Sequence, residues 1–96
     1  NIFSELFMDR NKIALSSIAL DLKRVAINYH HGSISTANRF FAEAMKRRSE
    51  IDQRKLKPYV RKILTNLDKL IFQAKEKIAE DALMYSVLLQ NAALVK

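Results

Sequence analysis

The chain has 96 residues, 49% hydrophobic and 28% charged, with a formal net charge of +7, one Gly, one Pro and no Cys. A chain of that length has room for one core, burying ~60 to 65% of its unfolded surface, and its apolar content is too high for a disordered tail. Without cysteine there are no disulfides, thiolate metal sites or cysteine nucleophiles. With so little Gly and Pro, hairpins and crossover loops lack their punctuation, so we expect an all-α domain over residues 1–96, an antiparallel bundle of three to four helices.

At the N-terminus Ile2, Phe3, Leu6, Phe7 and Met8 are interrupted by Glu5 and Asp9, with no basic stretch ahead, unlike a secretory signal. A cytoplasmic location is therefore expected, and an opening on Asn1 rather than Met points to a trimmed or partial chain. Leu15, Ile18, Leu22, Val25 and Tyr29 recur at intervals of three and four and predict a first helix over 13–29. Gly32 suits a left-handed helix stop, and Ser33 or Ser35 the N-cap of a second helix. Ala37, Phe40, Phe41, Ala44, Met45 and Ile51 form that helix's stripe, whose alternation of small and large residues suits an antiparallel hairpin with the first.

Pro58 predicts the first turn of a third helix, where its missing amide costs nothing. From Val60 the apolar positions Ile63, Leu67, Ile71, Ala74, Ile78, Ala82, Tyr85, Leu89 and Ala92 follow without a Gly or Pro. As one helix this stretch would run roughly 55 to 60 Å at ~1.5 Å per residue. Two outcomes are open. Either the helix breaks around Gln73 to Lys77 and folds back as the last member of a four-helix bundle, or it stays straight and its apolar end needs another chain. Asp68 offers a second break as an N-cap. We expect the compact bundle, with a radius of gyration near ~13 Å.

Gly32, Ala37, Phe41 and Ala44 resemble the turn and second helix of tetratricopeptide-type hairpins, and the layout through Leu70 is similar to three-helix MIT-type bundles. The large aromatic and the glycine of a tetratricopeptide first helix are absent, Val25 standing near where that glycine would fall, and no second copy follows at a period of about 34 residues. The resemblance therefore implies hairpin packing and no function.

Charge is concentrated in one place. Lys46, Arg47, Arg48, Arg54, Lys55, Lys57, Arg61 and Lys62 stand against only Glu50 and Asp52, so this stretch holds six of the seven net positive charges. Lys46, Arg47 and Arg48 close the second helix, where the macrodipole favours cations. Arg61 and Lys62 open the third, where it does not, and an anion held by those side chains and the free amides near Pro58 would resolve the conflict. Nucleic acid and an acidic protein are the anionic partners to consider. No helix-turn-helix, zinc-finger or RNA-recognition signature is present, so contact would be with the phosphate backbone, and Tyr59 is expected to pack on the hairpin instead of stacking on bases.

Ala82 to Val95 is apolar over fourteen positions, short of the ~20 needed to span a bilayer. Leu83, Met84, Val87, Leu88, Leu89, Leu94 and Val95 surround the helix, which needs cover on most sides. A protein interface is expected there, either in a homo-oligomer or with a helical partner; the alternative is burial under helix one and Phe3, Leu6 and Phe7.

His30 and His31 point about 100° apart and are expected to be structural. Glu76, Glu80 and Asp81 have no nearby His to complete a metal site, and Lys77 is placed to pair with Asp81. Met8, Met45 and Met84 fit core gap-filling. One glycine builds no phosphate loop or nucleophile elbow around Ser16 or Ser17, so neither catalysis nor a cofactor is expected. The sequence thus reads as a non-catalytic interaction module that self-associates through its last helix and presents a basic patch, with a nucleic-acid-binding accessory protein as the alternative.

Overall fold

Four α-helices carry most of residues 10–94, the part of the chain that the computed structural model describes. They are α1 (Arg10–His30), α2 (Ile34–Arg48), α3 (Pro58–Asn66) and α4 (Lys75–Leu94), with 3-10 turns at Gln53–Lys55 and Leu67–Phe72. Among the described residues there is no strand, so the fold is a small all-α bundle.

The apolar stripe of α1 becomes its buried face, with Leu15, Ile18, Leu22 and Val25 joined by Ala14, Ala19 and Ala26. α1 stops as expected. Gly32 takes φ +80°, the Ser33 amide donates to the Asn28 carbonyl at 2.8 Å, and the Gly32 amide to that of Tyr29 at 3.2 Å. These are the paired bonds of a Schellman stop, which satisfy carbonyls that α1 would otherwise leave open. Ser33 occupies the N-cap position of α2, but its hydroxyl makes no capping bond; its carbonyl accepts from the Ala37 amide instead. Fully buried Ala37 and Ala44 let α2 lie close against α1, with Phe40, Phe41 and Met45 packed at the margin. Ile51 is buried beyond the end of α2.

Pro58 is the first residue of α3, which buries Val60, Ile63 and Leu64. The chain then tightens into the 3-10 turn, burying Leu67 and Leu70. Asp68 lies inside this turn and is not an N-cap. The break comes at Gln73, which is extended (φ −98°, ψ 174°), and α4 begins at Lys75. Gln73 bridges the corner, its Nε2 donating to the Leu70 carbonyl at 3.3 Å and to Asp81 Oδ2 at 3.1 Å.

Periodicity through this region is continuous because both segments are amphipathic, yet a straight helix would carry Ile78, Ala82 and Leu89 away from the core. Burying a large aliphatic side chain contributes about 1.5 to 3 kcal/mol, so a few such contacts outweigh a ladder interrupted once.

α4 packs on the flank of α1, and α2 also packs on α1, making α1 the central element. Ile27 shares a cleft with Ala79, Glu80 and Leu83, whereas Ala19 and Leu20 share one with Ser86, Val87, Gln90 and Asn91, so α1 and α4 run antiparallel. The radius of gyration is 13.5 Å, with extents of 46 × 22 × 20 Å. No helix among the described residues is long and apolar enough to cross a membrane.

Candidate functional site

The basic stretch wraps the two ends of α3. At its C-terminal end Arg48, from the last turn of α2, donates to the Leu64 carbonyl and to Asp68 Oδ1, both at 2.8 Å. Before its N-terminal end Asp52 caps the short 3-10 turn, accepting from the Arg54 amide and from Arg54 Nε, each at 3.1 Å. Those bonds hold the Asp52 carboxyl below the usual carboxylate range. Asp52 is itself fixed by Asn11 of α1, whose Nδ2 donates to the Asp52 carbonyl at 2.9 Å while its Oδ1 accepts from the Asp52 amide at 3.1 Å. Asn11 thus ties the basic loop to the first turn of α1.

These bonds divide the eight expected anion-binding residues by chemistry. Arg47 pairs with Glu50 at 3.6 Å, Arg48 and Arg54 have the partners above, and Arg61 Nη1 turns back to the Leu56 carbonyl at 3.0 Å. All four arginines are engaged within the chain. Lys46, Lys55, Lys57 and Lys62 are exposed, and among the described residues their ammonium groups make no hydrogen bond or ion pair. The backward bond of Arg61 explains why a cation is tolerated at the start of α3: it satisfies loop carbonyls. The expected cradle of free amides is largely taken up, because Pro58 has none and those of Val60 and Arg61 both bond the Lys57 carbonyl. Tyr59 is half exposed and is not packed into the hairpin as expected.

The apolar residues of α4 also divide. Leu89 is fully buried, so it belongs to the core and not to the expected interface; its position lies on the same side of α4 as Ile78, Ala82 and Ala93. Leu83, Met84, Val87, Leu88 and Leu94 are exposed. At 100° per residue, Leu83, Val87 and Leu94 share one flank of the helix, while Met84 and Leu88 lie on another. Val95, and the alternative cover by Phe3, Leu6 and Phe7, fall outside the described residues, as does Met8.

The sequence reading missed the partner row on α1. Ile13, Leu20 and Ile27 are exposed on the side of α1 opposite Ile18. Leu20 and Lys23 face Leu83, Val87, Gln90 and Asn91 across a groove of about 400 Å³ whose floor is Ala19 and Ser86. Beyond it Ile27, Ala26, Ala79 and Leu83 line a second hollow of about 300 Å³ bordered by His30, His31 and Glu80. The seven-residue spacing of Ile13, Leu20 and Ile27 was present in the sequence, but the stronger buried stripe masked it. Phe72, 82% exposed at the corner before α4, was likewise not singled out.

The His30 and His31 rings meet edge to face, 5.5 Å between centroids. Among the described residues no three His, Asp or Glu side chains come together as a metal site would require. Lys77 pairs with Asp81 at 3.1 Å as expected. No protein-family model, curated protein or solved structure matches this chain.

Proposed function

We propose that the protein is a non-catalytic helical interaction module, which self-associates through the exposed apolar residues of α4 and presents the basic loop to an anionic partner. The observation that carries this reading is the pairing of exposed apolar residues of α4 and α1 along two adjoining hollows that share Leu83, with Leu20 and Val87 at the first and Ile27 at the second. Apolar side chains gathered along one face, and not scattered singly, are a feature of interaction surfaces. Light scattering across a concentration series tests it. Wild type is expected to give a dimer or larger species, and Val87→Glu a monomer of unchanged helicity. A wild type that stays monomeric at the highest concentration would sink the self-association reading.

A second reading, a nucleic-acid-binding accessory protein, is favoured by the four uncommitted lysines, because ammonium groups without internal partners are available to replace counterions on a phosphate backbone. Its affinity for duplex DNA would fall with salt at a log–log slope of about −0.9 per phosphate neutralised, near −3.6 for about four contacts. Reversing Lys55, Lys57 and Lys62 to Glu should abolish binding, whereas the same change at Lys75 and Lys77 should do much less. No binding in low salt would leave an acidic protein as the anionic partner to seek.

A further inference from the structure

We infer that the groove between α1 and α4 is filled by a second copy of this chain, the two copies meeting with their α1 helices antiparallel and Leu20 on the two-fold axis. The inference rests on the self-association reading above and specifies its geometry. Ile13, Leu20 and Ile27 lie seven residues apart, so they drift by only ~20° per step and form a straight row on the outer side of α1. That spacing suits a seam between two helices crossing at about 20°.

The row is symmetric about its centre. In an isologous interface, residue i of one copy meets residue j of the other and the reverse contact follows by symmetry. An antiparallel pair centred on Leu20 sets Leu20 against itself and Ile13 against Ile27 twice, leaving no isoleucine unmatched. The groove beside Leu20 has a small-residue floor, Ala19 and Ser86, and walls of Leu83 and Val87, and the two-fold axis turns the matching groove of the second copy toward it.

Charge selects the same arrangement. Lys23, which lines the groove, lies between Leu20 and Ile27, and the antiparallel pairing brings it opposite Ser17 of the second copy, whereas Arg24 is turned away over the Phe40 ring and paired with Asp21. A parallel pairing of the two α1 helices would set Lys23 against itself, and like charges meeting at an interface oppose association.

The available area is also adequate. Ile13, Leu20, Ile27, Leu83, Val87 and Leu94 are between 47% and 71% exposed. Together they offer roughly 600 Å² of apolar surface, and a rim of Lys23, Gln90 and Asn91 brings this toward the ~800 Å² per partner of a standard interface.

Because the chain has no native cysteine, single-thiol variants test the geometry without background. Leu20→Cys should form a disulfide-linked dimer on mild oxidation, at least about tenfold more than Lys57→Cys, because an axis position holds the two thiols at high effective concentration. Ile13→Cys and Ile27→Cys should each cross-link poorly alone and strongly when mixed. All four positions are exposed, and circular dichroism should give the wild-type spectrum for each variant. A dimer by light scattering in which Leu20→Cys fails to cross-link, or Ile13→Cys cross-links with itself as readily as with Ile27→Cys, overturns this geometry and leaves self-association standing. A monomer at all concentrations overturns both.

Discussion

Ser86 donates a 2.7 Å hydrogen bond from its Oγ to the main-chain carbonyl of Ala19, joining α4 to α1 across 67 positions of sequence. Ser86 is also the buried polar side chain of the core among the described residues, and no buried side-chain polar atom there lacks a partner. A serine suits this contact because it is small enough for close helix approach and brings the donor with it.

Replacing Ser86 separates those two roles. Ser86→Ala keeps the close approach and loses the bond, for an expected cost of about 1 kcal/mol. Ser86→Leu overfills the contact and should cost more, about 1 to 3 kcal/mol. Urea unfolding of the two variants measures both; equal losses would mean that size has no bearing here.

Arg48 joins the end of α2 to the end of α3, and its two bonds should respond differently to substitution. The pair with Asp68 is partly exposed, so Asp68→Asn should cost less than about 1 kcal/mol. Arg48→Met also removes the donor to the Leu64 carbonyl and should cost about 1 to 2 kcal/mol. Added salt should reduce the Asp68 effect and leave most of the Arg48 effect, as thermal melts at low and high ionic strength would show.

Adjacent leucines of α4 should behave as different classes of residue. Leu89 is fully buried, so Leu89→Glu places a carboxylate in the core and should unfold the protein. Leu88→Glu, at an exposed position, should leave helicity within error of wild type. Circular dichroism distinguishes them, and a folded Leu89→Glu variant would contradict the packing of α4.

Asp21 and Asp52 should shape the acid side of the stability profile with opposite signs. Burial raises the Asp21 carboxyl above its ordinary value of 3.8, against the pull of Arg24 at 3.5 Å. The folded state therefore holds this proton more tightly than the unfolded chain, and the resulting cost grows as pH rises through the raised value and is fully present at neutral pH. Asp21→Asn should thus be more stable than wild type at pH 7, with the advantage shrinking on acidification. Asp52, held below 3.8 chiefly by its bond from Arg54, stabilises the folded state at neutral pH and loses that contribution as pH falls from the ordinary value of 3.8 through the lowered one. Asp52→Asn should flatten that part of the profile, as denaturation midpoints across pH 2 to 7 would reveal.

The buried stripe of α1, the stop at Gly32 and the start of α3 at Pro58 were all legible in the sequence, because each depends on a local rule of spacing or backbone geometry. The break before α4 was legible only as one of two outcomes. Local periodicity is the same whether the helix bends or continues, and the packing of Ile78, Ala82 and Leu89 against the rest of the chain decided it. Composition put a basic stretch on the surface, but only the fold separated its four internally bonded arginines from its four uncommitted lysines, since Arg48 and Arg61 each bond a main-chain carbonyl, which carries no mark in a sequence, and Arg48 reaches Asp68 twenty positions away. The expected apolar girdle of α4 failed at Leu89 for a related reason. A helix that is apolar all round does not disclose which side meets its own core, and that choice was made by α1, whose small residues at Ala19 and Ala26 lie on the α4 side and whose own exposed row then completes the groove.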